Sequence, residues 1–257
     1  MLIDTHAHLY AEEFDDDRNE VIDRALKAGV ERIILPDVDS TSRAAIMAMA
    51  SQYTCCTPMV GVHPTSINEN PAWREELTEV ERLLAEDSSR FCGVGEIGLD
   101  LYWSRDFEAQ QREAFRFQVD LALSYSLPVA IHCRDAWEAL IEELTPYASR
   151  GVRGVIHAFT GEIEHYNALS ELGDFLFGIG GVVTFKKSAL AAVVAQIPLS
   201  KIVFETDAPY LTPTPFRGKR NESAYVPYIA QVVADLHAES VEKVAEITSE
   251  NATRMFF

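Results

Sequence analysis

The first ten residues, MLIDTHAHLY, set His6 and His8 two positions apart at the end of an apolar run. Side chains alternate faces along a strand, so residues i and i+2 point the same way and both imidazoles can reach one object. Two imidazoles with a common aim are metal-ligand chemistry. Other apolar runs end in the same residue types: His63 in VGVHP, Glu96 in GVGEIGLD, His132 in VAIHCRD, His157 in VIHAFTG and Asp207 in FETDAPY. Each has a plain structural reading by itself, since a lone strand histidine is ordinarily structural, Glu96 could pair with an arginine and Asp207 could cap the turn before Pro209. Their joint placement is harder to attribute to chance. The imidazoles of His6, His8, His132 and His157 with the carboxylates of Glu96 and Asp207 have the donor types for Zn²⁺ or Mn²⁺, in numbers sufficient for two ions sharing a bridging carboxylate.

The elements that must position these residues follow from periodicity. Runs rich in Val, Ile, Leu and Phe fall near 2–5, 32–35, 58–62, 91–97, 128–132, 153–157, 175–179 and 201–205. Helical spacing fills the intervals, as in 17–28, where Val21, Ile22, Ala25 and Leu26 share a face, and 107–126, where Phe115, Val119, Ala122 and Leu123 do. A last helix near 239–255, with Val241, Val244, Ile247 and Ala252, is expected to pack on the outside. Eight β-to-α units with continuous apolar strands and no Pro/Gly/Ser-rich linker predict an α/β fold, one (β/α)8 TIM-type barrel of parallel strands over residues 1–257 as a single domain. No G-x-G-x-x-G opens a helix, and the glycines of GVGEIG at 93–98 have the wrong spacing inside a strand, which disfavours a dinucleotide fold. In a parallel barrel the carboxyl ends of all strands meet at one mouth, where active sites of this fold lie. His6, His8, His63, Glu96, His132, His157 and Asp207 all map there, whereas His165 and His237 fall in helical segments and are read as surface residues without a role.

Composition narrows the function classes. The chain has 257 residues, 47% hydrophobic, and a formal net charge of −18, which repels polyphosphates at long range and excludes a diffuse electrostatic grip on nucleic acid. Any phosphate must be held locally. The acidic cluster EEFDDD at 12–17 reads as solvated surface ahead of the first helix. The opening has no basic-then-apolar leader and no apolar run is long enough to span a bilayer, so a cytoplasmic protein with no membrane partner is expected. Cys55, Cys56, Cys92 and Cys133 include no C-x-x-C and are expected to be reduced and mostly buried. No obligate protein partner is indicated.

The motifs IDTHAHL, GVHP at 61–64, GEIGLD at 95–100, PVAIHCRDA at 128–136, HAFTG at 157–161 and ETDAPYLTP at 205–213 followed by RGKRNE at 217–222 resemble, in order and along essentially the whole chain, those of the TatD family of metal-dependent hydrolases, a branch of the amidohydrolase-like barrels. The resemblance implies a TIM barrel, with His6, His8, Glu96, His132, His157 and Asp207 at metal-binding positions, two divalent ions per chain (Zn, Mg or Mn), and hydrolysis of DNA phosphodiesters, typically as a 3′-5′ exonuclease. Two departures stand outside the ligand set: Ala7 replaces a cysteine common between the first histidines, and Ser223 stands where proline usually follows Asn-Glu, which is expected to loosen the substrate loop.

Metal ions in such a set lower the pKa of bound water and neutralise charge developing on phosphate oxygens. In that scheme Glu96 bridges the ions, and Asp207 ligates one and serves as general base. Glu205, two residues earlier, faces the same way and is either a partner behind a ligand or purely structural. His63 is assigned to orienting the scissile phosphate. Cys133 points to the face opposite His132 and is read as packing. The loop PFRGKRNE at 215–222 brings Arg217, Lys219 and Arg220 together after the last strand, where barrels often bind phosphate, and marks Arg217 and Lys219 as contacts for single-stranded DNA or a strand end. The competing readings are an amidohydrolase or deacylase acting on a small molecule or an aminoacyl-tRNA, which would not require that loop, and a metal module without catalysis, in which the second carboxylate would be idle.

Overall fold

A computed structural model describes residues 1–257. Strands and helices alternate: β1 (Leu2–Asp4), α1 (Arg18–Lys27), β2 (Val30–Leu35), α2 (Ser40–Gln52), β3 (Cys56–Pro58), α3 (Trp73–Asp87), β4 (Val94–Asp100), α4 (Glu108–Ser124), β5 (Val129–Arg134), α5 (Trp137–Leu144), β6 (Arg153–Ile156), α6 (Ile163–Leu172), β7 (Asp174–Ile179), α7 (Leu190–Val194), β8 (Ile202–Phe204), α8 (Val226–His237) and α9 (Val241–Phe256). All pairings are parallel, in two arcs ordered β1-β2-β3 and β4-β5-β6-β7-β8. Backbone hydrogen bonds close both seams. Gly95 N–H donates to Val60 O at 3.0 Å on one side; on the other, Thr5 N–H donates to Phe204 O at 2.9 Å and His8 N–H to Ala208 O at 2.8 Å. The ring is the expected TIM-type (β/α)8 barrel.

Apolar residues sort into two shells. The larger packs the helices against the outer faces of the strands, and Val21, Ile22 and Ala25 of α1 belong to it. Leu26 stays 45% exposed because Val21 and Ala25 set the centre of the buried stripe and position 26 lies at its edge. The smaller shell fills the barrel with Ile3, Ile34, Met59, Ala130, Val155, Leu176 and Val203, joined by Ala252, Met255 and Phe256 of α9. Expected on the outside, α9 instead seals the end of the barrel away from the carboxyl mouth. Its Asn251 amide donates to Leu199 O and Ile202 O at 2.8 and 2.9 Å, and Arg153 donates to Met255 O at 2.7 Å.

Two buried glutamines of α4 shape the mouth. Gln118 accepts from Val62 N–H at 2.7 Å and donates to Val62 O at 3.1 Å; Gln111 does the same for Asp100, at 2.8 and 3.0 Å. β3 is regular only over Cys56–Pro58, short of the expected 58–62: Met59 and Val60 still bond Leu35 and Gly93, but by Val62 the Gln118 amide takes the place of a ladder partner and GVHP leaves the wall. Nor is EEFDDD only solvated surface: Phe14 is buried and Asp17 pairs with Arg24 and Arg220, at 3.1 and 2.8 Å. His165 receives the Glu162 N–H at the start of α6 and stacks on Trp137, and His237 lies 3.1 Å from Val194 O, so both carry local structure. No helix is long and apolar enough to cross a membrane.

Candidate metal centre

The sequence-predicted residues converge. His6 and His8 leave β1, their Nε2 atoms 3.3 Å apart, and His6 Nε2 is 3.0 Å from Glu96 Oε2. Asp207 Oδ1 lies 3.4 Å from His8 Nε2, 3.9 Å from His6 Nε2 and 3.6 Å from His157 Nε2. Glu96 Oε1 faces His132 Nδ1 at 2.9 Å, His63 Nε2 at 3.4 Å and His157 Nε2 at 3.8 Å. Ligand atoms of His6, His8 and Glu96, of His6, His157 and Asp207, and of His63, Glu96 and His132 each gather within 4.8 Å. Glu96 belongs to two of these groups. Nitrogen and oxygen donors turned inward on one another fit divalent cations: the imidazole Nε2 atoms of His6, His8 and His157 face the Glu96 and Asp207 carboxylates, donor types that suit Zn²⁺ and Mn²⁺.

Local conformation aims these groups. Asp207 sits at φ 57°, a left-handed conformation that Asp tolerates better than most residues. Its N–H donates to His6 O at 2.9 Å, tying the ends of β8 and β1. Asp4 accepts from His6 N–H and from the Thr206 hydroxyl, at 3.3 and 2.6 Å, buttressing the same corner. Gly98, at φ 145°, lets β4 pass the His132 carbonyl, and Gly178 leaves room for the Glu205 carboxylate; a Cβ at either would collide.

A second layer of groups stands behind the first. Glu205, one of two readings open from the sequence, is buried, lies 3.1 Å from His157 Nδ1 and accepts from Ala158 N–H at 2.6 Å. Asp100, which sequence reasoning missed, places Oδ2 3.0 Å from His132 Nε2. Its signal was available, since 96 and 100 share a strand face in GEIGLD. The Tyr10 hydroxyl meets His8 Nδ1 at 2.7 Å. Cys133 is buried away from the cluster, as read.

Electrostatics follow the geometry. Burial pushes the Glu96 carboxyl up, but His6, His63, His157 and the His132 hydrogen bond outweigh it and hold Glu96 well below the usual carboxylate range. Asp207 is likewise lowered against its burial by His8, His157 and His6. Burial, seconded by His157, drives His6 down to about 4. For His132 burial is overcome by hydrogen bonds to Asp100 and Glu96, which raise it to about 8; for His157 it is overcome by Glu205, Glu96 and Asp207, which raise it to about 10.

His63 is nearer the cluster than its separate assignment implied. The Thr65 N–H donates to its Nδ1 at 3.1 Å, so the neutral ring carries its proton on Nε2 and presents a donor toward the mouth. In the loop after β8, Arg220 is taken up by Asp17 and stacks over Phe14, whereas Arg217 and Lys219 stay exposed and pair with no carboxylate. Arg217 lies 3.7 Å above the Phe185 ring, next to exposed Lys186 and Lys187, two cations that the sequence reading passed over.

A parallel barrel with histidine and carboxylate clusters at its carboxyl mouth defines the class of metal-dependent hydrolases. The family model described as TatD related DNase matches residues 3–257, and the chain belongs to that family. It is 40% identical to the uncharacterized metal-dependent hydrolase YabD of Bacillus subtilis, covering 100% of this chain and 99% of the relative. It is 35% identical to the 3′-5′ ssDNA/RNA exonuclease TatD of Yersinia pseudotuberculosis, covering 99% of each. Among solved structures, the TatD homolog YJJV of Escherichia coli superposes with a TM-score of 0.91 at 28% identity, over 99% of this chain and 97% of that one.

Proposed function

We propose that residues 1–257 act as one domain, a two-metal phosphodiesterase that removes nucleotides from the 3′ end of single-stranded DNA, working in the cytoplasm. The observation that carries this reading is the meeting of two features at one mouth: clustered ligand atoms sharing Glu96, and the exposed, unpaired Arg217 and Lys219. The ssDNA/RNA exonuclease activity in the name of the Yersinia relative supports it. Four free thiols suit a reducing compartment.

His6, His8, Glu96, His132, His157 and Asp207 would hold the ions, with Glu96 common to the groups on either side. When bound, such ions supply Lewis acidity toward a phosphate oxygen and acidify water near neutrality. Asp207, kept ionised by its imidazole neighbours, accepts the proton of the attacking water at Oδ2, the oxygen turned away from the ligand cluster's Oδ1 contacts. His63 donates from Nε2 to a non-bridging phosphate oxygen. Asp100 and Glu205 hold the far sides of His132 and His157. Arg217 and Lys219 take the neighbouring phosphate.

Chelator-stripped protein, resupplied with each divalent metal, is to be tested on end-labelled single-stranded DNA. Metal-dependent shortening from the 3′ end is expected, with Asp207→Asn folded but slower by roughly 10²- to 10⁴-fold. Hydrolysis confined to small amides or an aminoacyl-tRNA ester would replace this reading with the deacylase one.

A further inference from the structure

The loop from β4 to α4 leaves two large aromatic side chains in solvent, Tyr102 at 52% and Trp103 at 67% exposure. Their rings meet edge-to-face with centroids 4.9 Å apart. Arg134, the last residue of β5, sets its guanidinium 3.8 Å from the Tyr102 ring centre and 5.4 Å from that of Trp103. It is exposed, and no carboxylate lies within ion-pair distance of it on a chain of net charge −18. An exposed stack of this kind contributes only about 0.5–1 kcal/mol to the fold, so stability does not explain a tryptophan held in water.

Its position ties it to the metal centre. Asp100 Oδ1 accepts from Tyr102 N–H at 3.2 Å and Trp103 N–H at 3.4 Å, while Oδ2 of the same carboxylate meets His132 Nε2 at 3.0 Å. Arg134 follows His132 by two residues on β5. One buried carboxylate thus fixes the aromatic pair relative to a metal-ligand position, and one strand does the same for the cation.

We infer that Tyr102, Trp103 and Arg134 form a nucleobase subsite, in which an unpaired base of the substrate strand stacks on the open face of Trp103 and its phosphate meets Arg134. The inference rests on the phosphodiesterase reading for its substrate class and adds what selects the strand. Every base has a π face, so stacking is tolerant of sequence, and a duplex buries those faces, so the platform favours single strands or frayed ends. The subsite lies on the β4–β5 side of the mouth; Arg217 and Lys219 lie after β8.

The probe is an oligothymidylate with phosphorothioate linkages, added to the intact protein while tryptophan fluorescence is read. Trp73 is buried and Trp137 partly so, which leaves Trp103 as the exposed reporter. Saturable quenching is expected, and Trp103→Ala, which removes an exposed side chain, should weaken binding measured by anisotropy of a labelled oligonucleotide about 5- to 100-fold. Trp103→Phe should restore affinity to within about threefold, and an abasic strand should bind wild type and Trp103→Ala alike. With a cleavable strand, the alanine variant should raise KM and leave kcat within about twofold. Equal affinity of Trp103→Ala and wild type, or equal quenching by duplex, overturns the inference. Wild type that cleaves DNA indifferently to Trp103 refutes the subsite alone; wild type that binds through Trp103 but cleaves no phosphodiester refutes the nuclease reading and leaves the subsite standing.

Discussion

Histidines that bind metal are aimed by what holds their other nitrogen, and here two carboxylates do this from opposite sides of the mouth. Asp100 is the more informative one to change, because Asn preserves shape and an acceptor oxygen while removing the charge facing His132. Asp100→Asn is expected to weaken divalent-metal affinity about 10- to 100-fold, measured by competition with a chromogenic chelator, with the metal-free protein melting near the wild-type temperature. Unchanged affinity would mean that Glu96 alone orients His132. The thiols give a test free of the metal site. Half-buried Cys55 has its Sγ 3.9 Å from that of Cys56, and hydrogen bonding within the pair lowers Cys55 against the effect of its burial. Burial pushes Cys92 up to about 12 and raises Cys133 as well, and Cys56 is raised by its hydrogen bond with Cys55 and by its deeper burial. Only the thiolate alkylates, so labelling of native protein by iodoacetamide should fall on Cys55, the least buried and the one lowered thiol, and begin at a lower pH than for an ordinary cysteine. Mass-spectrometric mapping between pH 5 and 9 checks this; a second site labelled as fast contradicts it.

The strands and their order were legible because a parallel barrel buries both faces of every strand and so writes near-continuous apolar runs. The six metal-ligand candidates were legible for a related reason: polar residues at the ends of such runs have only the mouth to face. Polar side chains inside otherwise apolar helices were not. Gln111 and Gln118 stand seven apart on α4, on the side of Phe115 and Val119, and periodicity alone treats them as interruptions. Their partners are backbone groups outside the helix, at Val62, 56 residues from Gln118, and at Asp100, 11 from Gln111, which no helical period encodes. The same blindness hid the place of α9, whose amphipathic stripe suits the outside of the barrel and its base equally well. Gln118→Leu keeps approximate volume but strands the N–H and C=O of Val62, so a loss of about 1–3 kcal/mol is expected by urea denaturation. Because Val62 precedes His63, metal-dependent hydrolysis should fall as well; a variant as stable and active as wild type would show that water serves Val62 equally well.

Taken whole, the molecule sets a strongly acidic body against a cationic rim. A charge of −18 repels a polyanion beyond the Debye length, about 10 Å at 0.1 M salt, so binding must be earned within that distance by a few cations at the mouth. Arg217 and Lys219 qualify, since both are exposed without a carboxylate partner, whereas Arg220 is committed to Asp17 and anchors the loop. Removing the first two should therefore cost binding without loosening the loop. Each phosphate neutralised on a single strand contributes about 0.7 to the slope of log affinity against log salt. Arg217→Ala with Lys219→Ala is expected to raise the KM for a single-stranded oligonucleotide several-fold and to reduce the salt slope by roughly one to two units. Hydrolysis of a small neutral ester should be nearly unchanged, because the ligand set at the mouth is intact. The measurement is KM against salt concentration for wild type and double variant on one oligonucleotide. Superimposable curves would make the loop ordinary solvated surface, and an uncharged small-molecule substrate would then fit the metal centre better than a nucleic acid.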